Sequence, residues 1–315
     1  MELDELQITD FIDQSPQRSI FCYPWWLKAV TDDQYSYAVA TKGEAIKGVI
    51  PYYHTRKWGV KLNTMPPYSQ MLGPLLPEMQ GKYATVLSKE HKYLDHLIQE
   101  LPGANYYNIR LHPSLTNWLP FYWNGFQQST RYTYILPDIS DIDEVWDGMR
   151  SNIRREIRKA EDEVKVGQED NIDLLIRLRN MTYERQDTDP SHSADLILRV
   201  YQACQEQDRG RLFFARDSQD RPHSGLFLIW DDRMAYYLIG GSDPELRTSG
   251  AASLVMWEAV KFASEFVTRF NFEGSMIRSI ERFFRGFGGR QWPYMAVSKY
   301  TPGYLRLAQL VLRDI

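Results

Sequence analysis

Two stretches of this chain repeat one pattern, and that repetition constrains the fold more than any other feature. YSYAVATKGEAIKGVIPYYHT (35–55) reads as two strands joined at Lys42, Gly43 and Glu44, because β-branched and aromatic residues flank a glycine turn. RLFFARDSQDRPHSGLFLIWDDRMAYYLIGGS (211–242) repeats the device as a three-stranded meander. Aligned, Val39-Ala40 and Gly48-Val49-Ile50 take the places of Phe214-Ala215 and Gly225-Leu226-Phe227. Each meander is followed by a helical stretch and one further strand, YLDHLIQELPGANYYNIRLHP in the first half and SLVMWEAVKFASEFVTRFNFEGS in the second. The pattern predicts a tandem α/β (α+β) architecture, each half a strongly bent, mixed, largely antiparallel sheet flanked by helices. The division falls at residues 1–140 and 141–315, about one domain's length each. Two ordinary α+β domains sharing this order are the alternative.

Composition excludes several classes. The longest apolar runs, such as GLFLIW at 225–230, fall far short of the roughly 20 residues a bilayer span needs. The N-terminus, MELDELQITDFID, is acidic and lacks the basic start and apolar stretch of a secretory signal, so a cytoplasmic setting is expected. Cys22 and Cys204 lie far apart with no CxxC spacing, which argues against a zinc site or a disulfide framework. The histidines are dispersed at 54, 91, 96, 112, 192 and 223, so no metal is expected. There is no GxSxG elbow, Walker loop or HExxH pair. A net charge of -4 leaves any nucleic-acid contact to a local patch.

One such patch lies in DIDEVWDGMRSNIRREIRKAEDEV (141–164), read as one helix. Met149, Ile153, Ile157, Ala160 and Val164 share a face, and Arg150, Arg154 and Arg158 form an adjacent row widened by Arg155 and Lys159. The plain reading is a solvated face, neutralised through Arg158 with Asp162 and Lys159 with Glu163. The sharper one is a docking surface for phosphates of a large substrate.

A second candidate is PELRTSGAASLVMWEAV (244–260), where a strand ending in Gly240, Gly241 and Ser242 gives way to a loop and a helix starting near Gly250. Small residues Ala251, Ala252 and Ser253 in the first turn let an anion approach the free N–H groups of a helix start. Arg247 adds a cation to this pyrophosphate seat. An ordinary helix capped by Ser249 is the alternative.

Arg247-Thr248-Ser249-Gly250-Ala251-Ala252 resembles the R/Q-x-x-G-x-G/A signature of the GNAT acyltransferase superfamily. The series MRSNIRREIRKAE, RNMTYERQ (179–186), YYLIGGSDPE, SLVMWEAVKFA, FNFEGS and FFRGFGG is similar to the FemABX-like branch, including its CelD-like acetyltransferase domains. SIFCYPWWLKAV (19–30) and MLGPLL (71–76) resemble that family's degenerate first domain. The resemblance implies two tandem GNAT-like domains and acyl or aminoacyl transfer to an amine. It implies acyl-coenzyme A held by Ser242, Arg247, Ser249, Gly250, Ala251 and Ala252. The acceptor is expected to be a small-molecule amine or a nucleotide-sugar or other cell-envelope precursor, with Arg150, Arg154, Arg158 and Arg282 binding its anions.

In FNFEGSMIRSIERFFRGFGG (270–289), Phe270 and Phe272 share one strand face and Asn271 and Glu273 the other, so Gly274 delivers Glu273 to a rim. Glu273 is the candidate for activating or orienting the amine. Where many relatives read F-K-x-x-F-G with a lysine near the transferred carbonyl, this chain has Phe284; Arg285, the candidate cation at the chemistry, follows about 100° around the helix and is no simple replacement. No tyrosine lies between 276 and 290 to protonate a leaving thiolate, which leaves Tyr237 and Tyr294 as substitutes. Phe283, Phe284 and Phe287 are expected in the core. Two other readings stay open: a FemX-like aminoacyltransferase that uses aminoacyl-tRNA on a peptidoglycan precursor, and a non-catalytic GNAT-like binding module.

Overall fold

In the computed structural model, which describes residues 4–185, 192–274 and 276–301, α1 (Glu5–Gln14) and α2 (Pro24–Thr31) lead into the first meander. Asp4 starts α1 with a capping box completed by Gln7. The meander is β1 (Tyr35–Lys42), β2 (Ala45–Lys57) and β3 (Val60–Thr64), antiparallel throughout. Its third strand, VKLNT, was not expected: it is short, and the turn before it is Trp58-Gly59, both with positive φ (50° and 80°), a primed hairpin turn whose first position holds a tryptophan. Helix α3 (Tyr83–Glu100) crosses over to β4 (Tyr106–Arg110), which pairs parallel with β3. Leu94 and Leu97 of α3 are buried with Ala38, Ala40, Ile50 and Ile109 of the sheet. The short α4 (Leu119–Trp123) then precedes β5 (Gln127–Leu136).

The second half begins with α5 (Ile142–Gly148) and α6 (Ser151–Glu163), so the single helix expected over 141–164 is broken. Asp141 caps α5, Met149 and Arg150 are extended with ψ of 148° and 144°, and Arg150 donates its N–H to the Gly286 carbonyl instead of continuing the helix. The apolar face survives the break. Met149, Ile153, Ile157, Ala160 and Val164 are all buried, although Val164 opens β6 (Val164–Gln168).

Helices α7 (Ile172–Arg185) and α8 (Ala194–Glu206) lead to the second meander, β7 (Gly210–Asp217), β8 (Pro222–Trp230) and β9 (Ala235–Ser242). Then follow α9 (Ala251–Ser264), β10 (Phe270–Asn271), α10 (Arg278–Gly286) and β11 (Arg290–Tyr300). Within this half the strand order is β5-β10-β9-β8-β7-β6, antiparallel except for β10 with β9. Gln186 and Ser275, the ends of two motifs quoted above, lie outside the described residues.

Register shifts fix the internal alignment. Pairing slips between Ala40 and Thr41 in β1 and between Ala215 and Arg216 in β7. Superposing the slips puts Ala40 on Ala215, and their partners Gly48 and Ser224 then coincide. Gly225 matches Val49, one residue from the expected correspondence, because a lone glycine is a weaker marker than a bulge.

The chain forms two compact units, Met1–Arg131 together with the chain from Pro293, and Tyr132–Trp292. The border therefore runs inside β5 and inside β11, whereas the sequence reading divides the chain at 140 and keeps its end in the second half. A strand that returns to pair with β4, with Val297 opposite Ile109, carries no local signal of which sheet it joins.

Candidate active site

Strand β9 is irregular where it matters. Phe227 pairs with Ile239 and Leu228 with Tyr237, so Leu238 is an extra residue on β9. On its other side β9 pairs with β10 only at Ala235 and Tyr236, and beyond that point the parallel pairing ends. The Tyr237 hydroxyl lies over Gly240, where a Cβ would collide with it. Burial, with Tyr183 second, pushes the Tyr237 pKa up to about 12.

A cleft of about 230 Å³ opens along this strand, lined by Tyr237, Gly240, Ser242, Arg247, Ala252 and Phe283 among others. Thr182 of α7 secures the strand end, with its hydroxyl 3.1 Å from the Ser242 nitrogen and 3.3 Å from the Ser242 oxygen. The loop after Ser242 closes in a 3-10 turn, Arg247–Ser249, and Gly250 starts α9 at φ +81°. Only glycine fits there, because a Cβ would stand 2.5 Å from the Glu156 carbonyl oxygen of α6. Helix α6 buttresses the turn further, through Lys159 Nζ to the Thr248 oxygen (2.6 Å) and Ser253 Oγ to Glu156 Oε2 (2.9 Å).

At the helix start, Ser249 Oγ accepts from the Ala251 N–H at 3.3 Å, and Gly250 O accepts from Ser253 and Leu254. The Ala252 N–H has no acceptor among the described residues, and Ala252 is exposed on the cleft. An open amide, a small side chain and the Arg247 cation thus meet at one wall. Ser249 and Ala251 are buried behind it.

A buried chain of side chains holds the turn from below. His223 Nδ1 is 2.9 Å from Ser249 Oγ, and its Nε2 is 3.2 Å from Asp217 Oδ2. Burial alone would raise the Asp217 pKa, but the Arg221 N–H, the Arg221 guanidinium and His223 together hold it well below the usual range. The His223 main-chain oxygen also accepts from the Asp243 N–H at 3.0 Å, so His223 grips the loop 243–249 at both ends. Sequence reasoning missed this residue because it looked for histidine pairs at metal-ligand spacing. The available signal was DSQDRPH, an acid and a histidine bracketing a hairpin turn.

The other expected site residues lie elsewhere. Glu273 follows β10 at φ +58°, is half-buried and does not line the cleft. Its N–H donates to Asn271 Oδ1 at 2.9 Å, and Asn271 is itself buried against Thr133 (2.6 Å). Arg282 is exposed on α10. Arg285 is bound to Glu281 (Nε to Oε1 2.7 Å), which also accepts from Tyr134 Oη at 2.8 Å. Phe284 is buried and stacked on Phe272, with ring centres 5.1 Å apart at 21°, so the position of the family lysine is core here. Tyr294 is buried in β11.

The arginine row is largely occupied. Arg154 pairs with Asp147 at 3.3 Å, and Lys159 pairs with Glu163 at 3.4 Å as expected. Arg158 lies over the Trp146 ring at 5.4 Å rather than beside Asp162, since the break at Gly148 brings that ring alongside α6. Arg150 and Arg155 stay exposed.

Residues 147–279 match the family model described as an acetyltransferase (GNAT) domain. That stretch lies within the second unit. The fold as a whole is that of tandem GNAT-like proteins. FemX shares it at TM-score 0.73 and 13% identity, with 99% of each chain covered. L-PGS from Bacillus licheniformis matches at 0.57 and 9%, covering 98% of this chain and 96% of that one. A tandem GNAT protein from the clavulanic acid biosynthesis pathway matches at 0.54 and 8%, covering 94% and 95%. No curated protein matches the sequence. Among the described residues, no helix is long and apolar enough to cross a membrane.

Proposed function

We propose that the GNAT domain transfers an acyl group from acyl-coenzyme A to an amine on a small molecule or cell-envelope precursor. The observation that carries this reading is the cleft wall where the open Ala252 amide and the Arg247 side chain stand beside Ser242 and Tyr237. A diphosphate fits that wall, since it accepts from main-chain N–H groups and a guanidinium at once. Tyr237, kept protonated by burial, is the group that gives its proton to a leaving thiolate. Glu273, oriented by Asn271 and set outside the cleft lining, is assigned to the amine as it approaches the acyl carbon. Cys22 and Cys204, both buried thiols, agree with a cytoplasmic setting.

A second reading, transfer from aminoacyl-tRNA, draws on the exposed Arg150, Arg155 and Arg282 as phosphate contacts. Phe284 in the core speaks against it, because no cation then stands at that point of α10.

Thermal shift separates the readings. Coenzyme A or acetyl-coenzyme A at 100 times its dissociation constant should stabilise the protein by about 2.7 kcal/mol. Salt-sensitive tRNA binding with no response to coenzyme A would favour the second reading. Silence from both, with cellular function unchanged in Glu273→Ala, would favour a binding module.

A further inference from the structure

Helix α10 has one apolar face, and the domain covers only one end of it. At about 100° per residue, Ile277, Ile280, Phe283, Phe284 and Phe287 fall on one side, and Arg278, Arg282 and Arg285 fall on the other. Towards the C-terminal end the face is packed away. Phe284 and Phe287 are buried, and Phe283 meets Phe287 with ring centres 5.1 Å apart. Towards the N-terminal end the same face runs clear of the domain. Ile280 is 39% exposed, Ile277 60%, and Met276, just ahead of the helix, 61%. Three large apolar side chains exposed within five residues form a patch, not the scattered single exposures that any surface carries.

Phe283 joins this ridge to the cleft. Its ring lines the cleft wall, and Ile280 precedes it by one turn on the same face. The Glu281 N–H donates to the Ile277 carbonyl at 2.9 Å, so the helical register already holds at Ile277, another turn back. From Ile277 to Phe283 the ridge extends for about 9 Å.

The cleft places the reacting sulfur next to the start of this ridge. Arg247 and Ala252 stand where α9 begins, and Met256 lines the wall one helical turn further on. Tyr237, assigned above to the leaving thiolate, has its ring centre 5.9 Å from that of Phe284. An acyl group hanging from that sulfur therefore meets the apolar face of α10. No charged residue lies on that face. Phosphates or an extended peptide laid against it would leave polar groups without partners, whereas hydrocarbon loses nothing there and leaves water.

We infer that the acyl group is a hydrocarbon chain longer than acetyl, running from the thioester along Phe283, Ile280 and Ile277. The assignment rests on acyl transfer at this cleft, with Tyr237 at the sulfur. Chain length leaves the bond changes as they are. The amine nitrogen bonds to the acyl carbon, the carbon–sulfur bond breaks with its electrons on sulfur, and the nitrogen loses one proton as the sulfur gains one. What the ridge adds is selection of the donor.

The test is calorimetric titration of the full chain with coenzyme A and its acetyl, hexanoyl and decanoyl thioesters, kept below micelle-forming concentrations. Decanoyl-coenzyme A should bind about tenfold more tightly than acetyl-coenzyme A, or better, with the hexanoyl thioester between them, because each methylene taken from water onto the ridge tightens binding. Ile277→Asn combined with Ile280→Asn should cut that ratio to about threefold or less with Tm nearly unchanged, since both side chains are exposed. If coenzyme A binds but chain length makes no difference, the inference is overturned and transfer from a short-chain donor stands. If the ratio survives in the double variant, the chain lies elsewhere and the inference is again overturned. If no coenzyme A compound binds, the reading of the cleft fails and the inference with it. A lower molecular mass of the double variant by sedimentation, with the ratio unmoved, would make the ridge a contact between copies of the chain and also overturn it.

Discussion

His223 Nδ1 and Ser249 Oγ lie 2.9 Å apart, joining the β7–β8 hairpin to the turn that opens α9. The same imidazole reaches Asp217 from its other nitrogen, so the hairpin and the donor wall form one unit. His223→Ala leaves Ser249 and Asp217 without this partner in a buried setting, at a cost of about 1–3 kcal/mol measured by urea unfolding. The cleft wall loosens with it. The KM for acyl-coenzyme A should rise about tenfold while kcat changes less than about threefold, the pattern of lost ground-state binding. His223→Gln, which keeps a donor and an acceptor, should recover part of the loss. Equal stability loss with an unmoved KM would limit His223 to a structural role.

Gly250→Ala tests the seat itself. The added methyl would meet the Glu156 carbonyl oxygen at 2.5 Å on a backbone held at φ +81°, so α9 and α6 must part or the turn must change. A loss of about 1–3 kcal/mol is expected, read as a drop of several degrees in Tm. Ala252→Ser, on the exposed side of the same turn, should stay within about 0.5 kcal/mol of the parent.

The features legible in the sequence were those set by local periodicity. The second meander and the first two strands of the first could be read from alternation around a turn, and the α6 face from Ile153, Ile157 and Ala160. What escaped was decided by contacts distant in sequence. The break at Gly148 is fixed by Arg150 bonding to Gly286, and the glycine itself was its only local sign. The β9 bulge that sets Tyr237 over Gly240 depends on how β8 pairs with it. His223 looked like one of several scattered histidines until folding placed Ser249 beside it. Arg285 carried an expected role at the chemistry, yet Glu281, one helical turn earlier, binds it.

Glu273→Gln keeps the size of the side chain and the main-chain bond to Asn271 but removes the carboxylate. If Glu273 takes up or orients the amine proton, kcat should fall about 10²-fold with little change in the KM for acyl-coenzyme A. The residual rate should rise with pH as free amine accumulates without help. A parent-like kcat would reassign the amine to another group.

Tyr237→Phe addresses the leaving group. The raised pKa means the hydroxyl remains protonated up to about pH 12, so its contribution as a proton donor should be constant from pH 6 to 10. The variant should therefore lose rate by the same factor, on the order of 10-fold to 100-fold, at every pH in that range. Steady-state profiles of kcat for both proteins check this. A ratio that changes across the range would show that Tyr237 titrates in it or acts in another way.

Arg285 and Glu281 provide a test that separates stability from chemistry. The guanidinium of Arg285 first, and the Tyr134 hydroxyl second, hold the Glu281 carboxyl below its ordinary pKa. A carboxyl depressed in the folded state contributes stability above its unfolded value of about 4.3, and that contribution fades as pH falls through the folded value. Arg285→Ala should thus lower Tm at pH 7, and the difference from the parent should shrink between pH 5 and pH 3. Exposure of the Arg285 side chain keeps the effect modest. Its activity at pH 7 and 25 °C, well below the melting range, should stay within about threefold of the parent if the ion pair only fastens α10 against β5, since Tyr134 belongs to that strand. A loss near that of Glu273→Gln would instead bring Arg285 into the chemistry, with Glu281 as the group that orients it.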